Sequence, residues 1–138
     1  MPHGHAPRLG TREQRKWTQF CQSTQSQFTN IVQIGIGGSE LGPKTVIAAL
    51  QQHYTQLATP HFMSSVDSFE IERTLNSLPL DTTLFIVVSK SGSTTETQYI
   101  WNKVKSFWKN SNRSPAVLGK QSIAVTCPST RLDDPTQF

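Results

Sequence analysis

The chain has 138 residues, 35% of them apolar, with thirteen Lys and Arg against nine Asp and Glu. That length fits about one domain at roughly 100–200 residues each, so a second full core is not expected. Of the net charge of +4, +3 falls within the first twenty residues (Arg8, Arg12, Arg15 and Lys16 against Glu13), which leaves a near-neutral body without the clustered basic face that nucleic-acid binding requires.

Residues 1–29 begin with Pro and His, turn Gln-, Ser- and Thr-rich from Gln22, and carry only a weak helical pattern through Trp17 and Phe20. They read as a loose arm or short helix, with residues 30–138 forming the domain proper. No apolar stretch follows the early charges, so no secretory signal is indicated and a reducing, cytoplasmic compartment is expected. Cys21 and Cys127 stand far apart without a CxxC or a His/Cys cluster, which points neither to a disulfide framework nor to a zinc site.

The β-branched run Ile31-Val32-Gln33-Ile34, bounded by Gly35, predicts a buried strand opening into a Gly-rich turn. From Ser39 to about Tyr54, Leu41, Val46, Ile47 and Leu50 recur at helical spacing. Pro43 is accommodated if it falls in the first turn, where its missing N–H would be unpaired anyway. His61 to Val66 reads as a second strand. Asp67 then caps a helix whose face is marked by Phe69, Ile71 and Leu75, and Pro79 ends it.

Thr83 to Val88 is apolar without alternation after its first residue, as expected for a central strand covered on both faces. Runs of this length are far below the roughly 18 residues that would span a bilayer, so no membrane helix is expected. Ser93 to about Lys109 places Tyr99, Ile100, Val104, Phe107 and Trp108 on one helical stripe. Asn110 to Lys120 reads as a polar loop and Ser122 to Thr126 as a fourth strand.

This β-α-β-α-β-α-β alternation predicts an α/β fold: a three-layer, open, mainly parallel sheet with helices on both faces. The C-terminal Asp133 to Phe138 brings no evident closing element, and the low apolar content suggests packing against further chain; the domain is expected to be incomplete. In such sheets ligands sit beyond the carboxyl ends of the strands, where strand order reverses. That directs attention to the loops after the first and third strands.

The first loop reads Gly35-Ile36-Gly37-Gly38-Ser39-Glu40-Leu41-Gly42-Pro43. Glycines permit tight turns and close ligand approach, and a helix N-terminus favours an oxyanion. The dinucleotide fingerprint fails because Glu40 takes its third glycine position, and the P-loop fails because Pro43 precedes Lys44-Thr45. A ligand-free Gly-rich turn is the plain alternative.

The second loop, Ser89-Lys90-Ser91-Gly92-Ser93-Thr94-Thr95-Glu96-Thr97, holds six hydroxyl side chains, a Gly and a Lys in nine residues. Hydroxyls and helix-terminal amides donate to phosphate oxygens, and one Lys offsets part of a charge of roughly −1.5 to −2. Helix capping alone would explain one hydroxyl, not six.

On these two segments the sequence resembles the phosphoglucose isomerase family, from about Ile31 to Phe138, with the second loop in the Ser-Gly form of bacterial members. The resemblance implies a partial sugar isomerase (SIS-type) phosphosugar-binding domain over residues 30–138, the chain being an N-terminal portion of a longer isomerase. It implies that Gly38 and Ser39 touch the sugar, and that Ser89, Lys90, Ser91, Gly92, Ser93 and Thr94 hold the phosphate. Glu96 is either a helix-dipole partner or a residue behind the site. The family's reaction interconverts glucose 6-phosphate and fructose 6-phosphate through ring opening and a cis-enediol, with neither metal nor redox cofactor. The family's Gly-Gly-Arg-Phe-Ser segment, glutamate base, catalytic His and late Lys have no match here, and His3, His5, His53 and His61 do not replace the missing His. The expected partners are thus a hexose 6-phosphate and, for the whole enzyme, a second subunit, with no nucleic acid or membrane. A non-catalytic phosphosugar sensor is the rival reading.

Overall fold

A computed structural model of the chain describes residues 27–50 and 58–134, together with Arg15 and Gln19. The arm expected over residues 1–29, with Cys21, His3 and His5, lies almost wholly outside the described residues, as does His53. The described residues run β1 (Asn30–Ile34), α1 (Gly38–Leu50), β2 (Thr59–Met63), α2 (Ser68–Ser77), β3 (Thr83–Val88), α3 (Thr95–Asn110), α4 (Pro115–Lys120) and β4 (Ser122–Val125). Single 3-10 turns occupy Leu80–Thr82 and Arg131–Asp133.

The four strands form one parallel sheet in the order β2-β1-β3-β4. The α/β expectation therefore holds, with β3 in the interior as its unbroken apolar run requires. From β1 the chain moves outward to β2, then crosses back over β1 to reach β3. The order accordingly reverses between β1 and β3, and the crevice beyond their carboxyl ends is the ligand position for this architecture.

Strand side chains alternate between the two faces. Val32, Ile34, Phe85 and Val87 point to one face, where they meet Ile71 and Leu75 of α2, Ile100, Trp101, Val104 and Trp108 of α3, and Leu118 of α4. Phe85 sits edge-on to Trp108, with ring centroids 6.3 Å apart, and tilted to Trp101 at 6.2 Å. Each large apolar side chain buried this fully contributes about 1.5–3 kcal/mol, so this layer holds the fold together. Gln33, on the opposite face of β1, reaches the Ser39 carbonyl of α1. Helix α1 thus covers the second face, as right-handed crossovers require when the chain reverses direction across the sheet.

Several details differ from expectation. Strand β2 begins at Thr59 rather than His61 and ends at Met63 rather than Val66. Pro60 is tolerated inside it because β2 is an edge strand, where one side of the backbone needs no partner. Asp67 caps α2, its carboxylate accepting from Phe69 N–H at 2.9 Å. Phe69 is nevertheless 74% exposed, and only Ile71 and Leu75 of the expected face are buried.

The segment read as a polar loop contains the short helix α4, entered through Ser114 with Pro115 at its first position. On α3, Thr97 and Trp101 join the buried stripe, whereas Tyr99 is exposed. Helix α1 forms as its spacing predicts, yet none of its side chains is buried among the described residues, and Leu41, Val46 and Leu50 are exposed. Pro43 is its sixth residue, beyond the first turn, so its missing N–H does leave a carbonyl without the usual helical donor.

Candidate functional site

The two loops singled out by their composition meet at the reversal of strand order. Ile34 pairs with Val87 in the β1–β3 ladder, which places Gly35 beside Val88. A methyl group on Gly35 would lie 3.0 Å from Ser39 Cβ and 3.1 Å from the Val88 carbonyl oxygen. Hence Ser39 and the residue that leads into Ser89 close on Gly35 from two sides. A side chain at Gly35 would be tight against both and would require these neighbours to shift by a few tenths of an ångström.

The first loop leaves β1 with its Gly35 N–H on the Met63 carbonyl at the end of β2. Gly37 takes a positive φ of 59°, turning the chain into α1 at Gly38. The Ser39 N–H donates to the Ile36 carbonyl, and the Glu40 and Leu41 N–H groups to the Gly37 carbonyl. Gly38 is exposed and Ser39 half-buried at the rim. Behind them the Glu40 carboxylate accepts from the Ser64 hydroxyl and from Lys44, which hold it below its ordinary pKa. Lys44 in turn lies over the Phe62 ring.

The second loop starts on the sheet, with the Ser89 N–H donating to Val125 of β4. Ser89 is buried, and its hydroxyl lies 2.9 Å from the Thr94 hydroxyl. Thr94 is the N-cap residue of α3 but makes no side-chain capping hydrogen bond. Its hydroxyl is turned to Ser89 across the loop instead. Capping therefore does not account for this residue.

Between these two, the hydroxyls of Ser91 and Ser93 lie 3.1 Å apart, and Lys90, Ser91 and Ser93 are exposed. Gly92 adopts a φ of 63°, its N–H on the Ser89 carbonyl and its own carbonyl accepting from the Gln98 amide. The outcome is a tight turn that presents hydroxyls at the start of a sixteen-residue helix. Its dipole and first-turn amides favour a multiply charged oxyanion there. Glu96 is exposed in that same first turn.

The chain after β4 supports this turn from behind, a contribution that no motif announces. The Cys127 N–H donates to the Lys90 carbonyl, and Thr130, held by the Thr126 hydroxyl at 2.8 Å, packs against Gly92. Cys127 itself is an exposed thiol. His61 lies away from the rim, with its Nε2 2.9 Å from Asn30 Oδ1 near the opposite end of the strands. A cleft between α3 and the last 3-10 turn is lined by Gln98, Trp101, Asn102, Lys105 and Arg131, and its Gln98 is the residue that donates to the Gly92 carbonyl.

An open parallel sheet with a Gly-rich turn and a hydroxyl-rich helix start at its reversal point defines an α/β domain of the doubly wound class. Residues 12–134 match the family model described as phosphoglucose isomerase. The glucose-6-phosphate isomerase of Treponema pallidum subsp. pallidum is 51% identical over 120 residues, covering 84% of this chain and 22% of that protein. The Borrelia garinii protein of the same name is 49% identical over 88 residues, covering 58% of this chain and 17% of the relative. The crystal structure of a glucose-6-phosphate isomerase from Chlamydia trachomatis superposes with a TM-score of 0.83 at 31% identity, covering 92% of this chain and 24% of that one. The chain belongs to the phosphoglucose isomerase family. It spans about a fifth of the length of the curated relatives it matches.

Proposed function

We propose that this chain supplies the phosphate- and sugar-binding rim of a glucose-6-phosphate isomerase acting on hexose 6-phosphates in the cytoplasm. Ser89, Ser91, Ser93 and Thr94 hold the phosphate through hydroxyls, Gly92 through its backbone, and Lys90 through charge and backbone. Gly38 and Ser39 face the sugar. The proton-transfer groups come from other parts of the enzyme, which works as a homodimer without nucleic acid.

The observation that carries this reading is the Ser89–Thr94 hydroxyl pair at an α3 N-terminus without a side-chain cap. The first loop reaches the same strand end, where Ser39 and the carbonyl of Val88, the residue before Ser89, both lie against Gly35. A charged ester placed there gains hydrogen bonds of the charge-assisted kind, roughly twice as strong as neutral ones. A free-standing sensor is not favoured, because the named relatives are isomerases.

The test is calorimetric titration of the 138-residue chain with glucose 6-phosphate and with glucose, alongside an assay of fructose 6-phosphate conversion. Binding that requires the phosphate, without turnover, is the expected result. Turnover by this chain alone would overturn the assignment of catalysis to other segments. Equal response to glucose and its phosphate would overturn the site.

A further inference from the structure

Helix α1 carries an internal defect next to the proposed sugar contacts. In a regular helix the Ser39 carbonyl accepts from the N–H of residue 43. Residue 43 is proline, which has no N–H and whose ring crowds the carbonyl four residues earlier. The lost bond is replaced from outside the helix: the Gln33 side-chain amide donates to the Ser39 carbonyl. Gln33 is 8% exposed and sits mid-strand in β1, between Phe62 of β2 and Ile86 of β3.

We infer that Gln33 is a positioning residue: it supplies the hydrogen bond that Pro43 withholds, and so fixes the first turn of α1, with Ser39 against Gly35, for sugar binding. This rests on the proposed function. Two observations are joined by it. A buried polar side chain in a central strand needs a partner, and the carbonyl it meets is the one deprived of its own donor. Ser39 Cβ and the Ser39 carbonyl oxygen would lie 3.0 and 3.3 Å from a methyl group on Gly35, so the turn is seated directly on the strand end. A small rotation of this carbonyl would carry Ser39 away from Gly35 and the end of β1.

The experiment is a double-mutant cycle on the full chain with Gln33→Met, which keeps length and removes the donor, and Pro43→Ala, which restores a backbone N–H. Thermal unfolding without ligand and affinity for glucose 6-phosphate are both measured. Gln33→Met is expected to lower the midpoint by about 4 °C and to weaken glucose 6-phosphate binding about fivefold, the equivalent of one hydrogen bond. Pro43→Ala alone changes little, and in the double variant both quantities return toward the parent values.

A double variant as impaired as Gln33→Met overturns the pairing of Gln33 with Pro43. A lowered midpoint with unchanged affinity overturns the positioning role and leaves Gln33 a stability residue. If the parent chain binds no glucose 6-phosphate, the functional reading falls together with the positioning role, while the unfolding cycle still decides the pairing.

Discussion

Thr130 occupies the space that a side chain at Gly92 would need: a methyl group there would lie 2.5 Å from Thr130 Cβ. The turn that presents the hydroxyls is thus clamped between its own positive φ of 63° and the segment after β4. Gly92→Ala meets both obstacles. Left-handed backbone costs a non-glycine residue about 1–2 kcal/mol, and forced overpacking about 1–3 kcal/mol. A loss of about 2–4 kcal/mol in urea unfolding is expected, and a change below about 0.5 kcal/mol would show that the contact is easily relieved.

Ser89 and Thr94 should act as a unit. On the proposed function each alanine substitution removes a donor to a charged ester, worth about 1.5–3 kcal/mol, so glucose 6-phosphate affinity should fall by about tenfold or more in either. Because the two hydroxyls contact each other, the double variant should lose less than the sum of the singles. Strict additivity in calorimetric titration would mean that they serve separate ligand atoms.

Gln121 ties two parts of the molecule that no motif connects. Its buried side-chain amide donates to the Leu80 and Thr83 carbonyls at 2.9 Å each, while its backbone carbonyl accepts from Phe85 N–H. Gln121→Leu leaves buried carbonyls without that donor, at a cost of about 1–3 kcal/mol. The nearby Arg113–Asp81 ion pair has Asp81 largely in solvent. Asp81→Ala should therefore be the milder change, because a solvated surface ion pair adds little to stability, and chemical denaturation of both variants side by side should rank them in that order.

The Glu40 carboxylate is held below its ordinary pKa of 4.5, first by the Ser64 hydroxyl and then by Lys44. A depressed folded pKa means that the unfolded chain binds the proton more readily. This stabilisation is therefore present above about pH 4.5 and disappears as pH falls through the lower folded value. With Lys44 well exposed, it should not exceed about 1 kcal/mol. The stability difference between the parent and Glu40→Gln should shrink on acidification below pH 4.5; a difference that widens there would contradict the assignment.

Helix α3 and strand β3 were legible because their burial is written as periodicity. An uninterrupted apolar run needs cover on both faces, and a 3.6-residue stripe needs one neighbour. Strand β2 was less so, since Pro60 reads as a strand breaker until the strand is known to lie at the sheet edge. Helix α4 has six residues and buries one, Leu118, which is too little to set up a period. Both loops of the candidate site stood out through composition. Their supports, Gln33 and Thr130, did not, nor did Gln121 at the start of β3, because a single Gln or Thr has no pattern and acquires its role from a carbonyl or a glycine distant in the sequence.

The sequence by itself determined the alternation of strands and helices, the two turns rich in glycine and hydroxyls, and the family to which they belong. Local chemistry suffices for these: periodicity, turn-forming residues and donor-rich segments act over a few neighbouring residues. Only the tertiary structure decided the strand order, and with it the approach of Ser39 and Val88 to Gly35. That encounter depends on the chain crossing back over β1 between β2 and β3, a choice made by the burial of whole faces rather than by any stretch of residues.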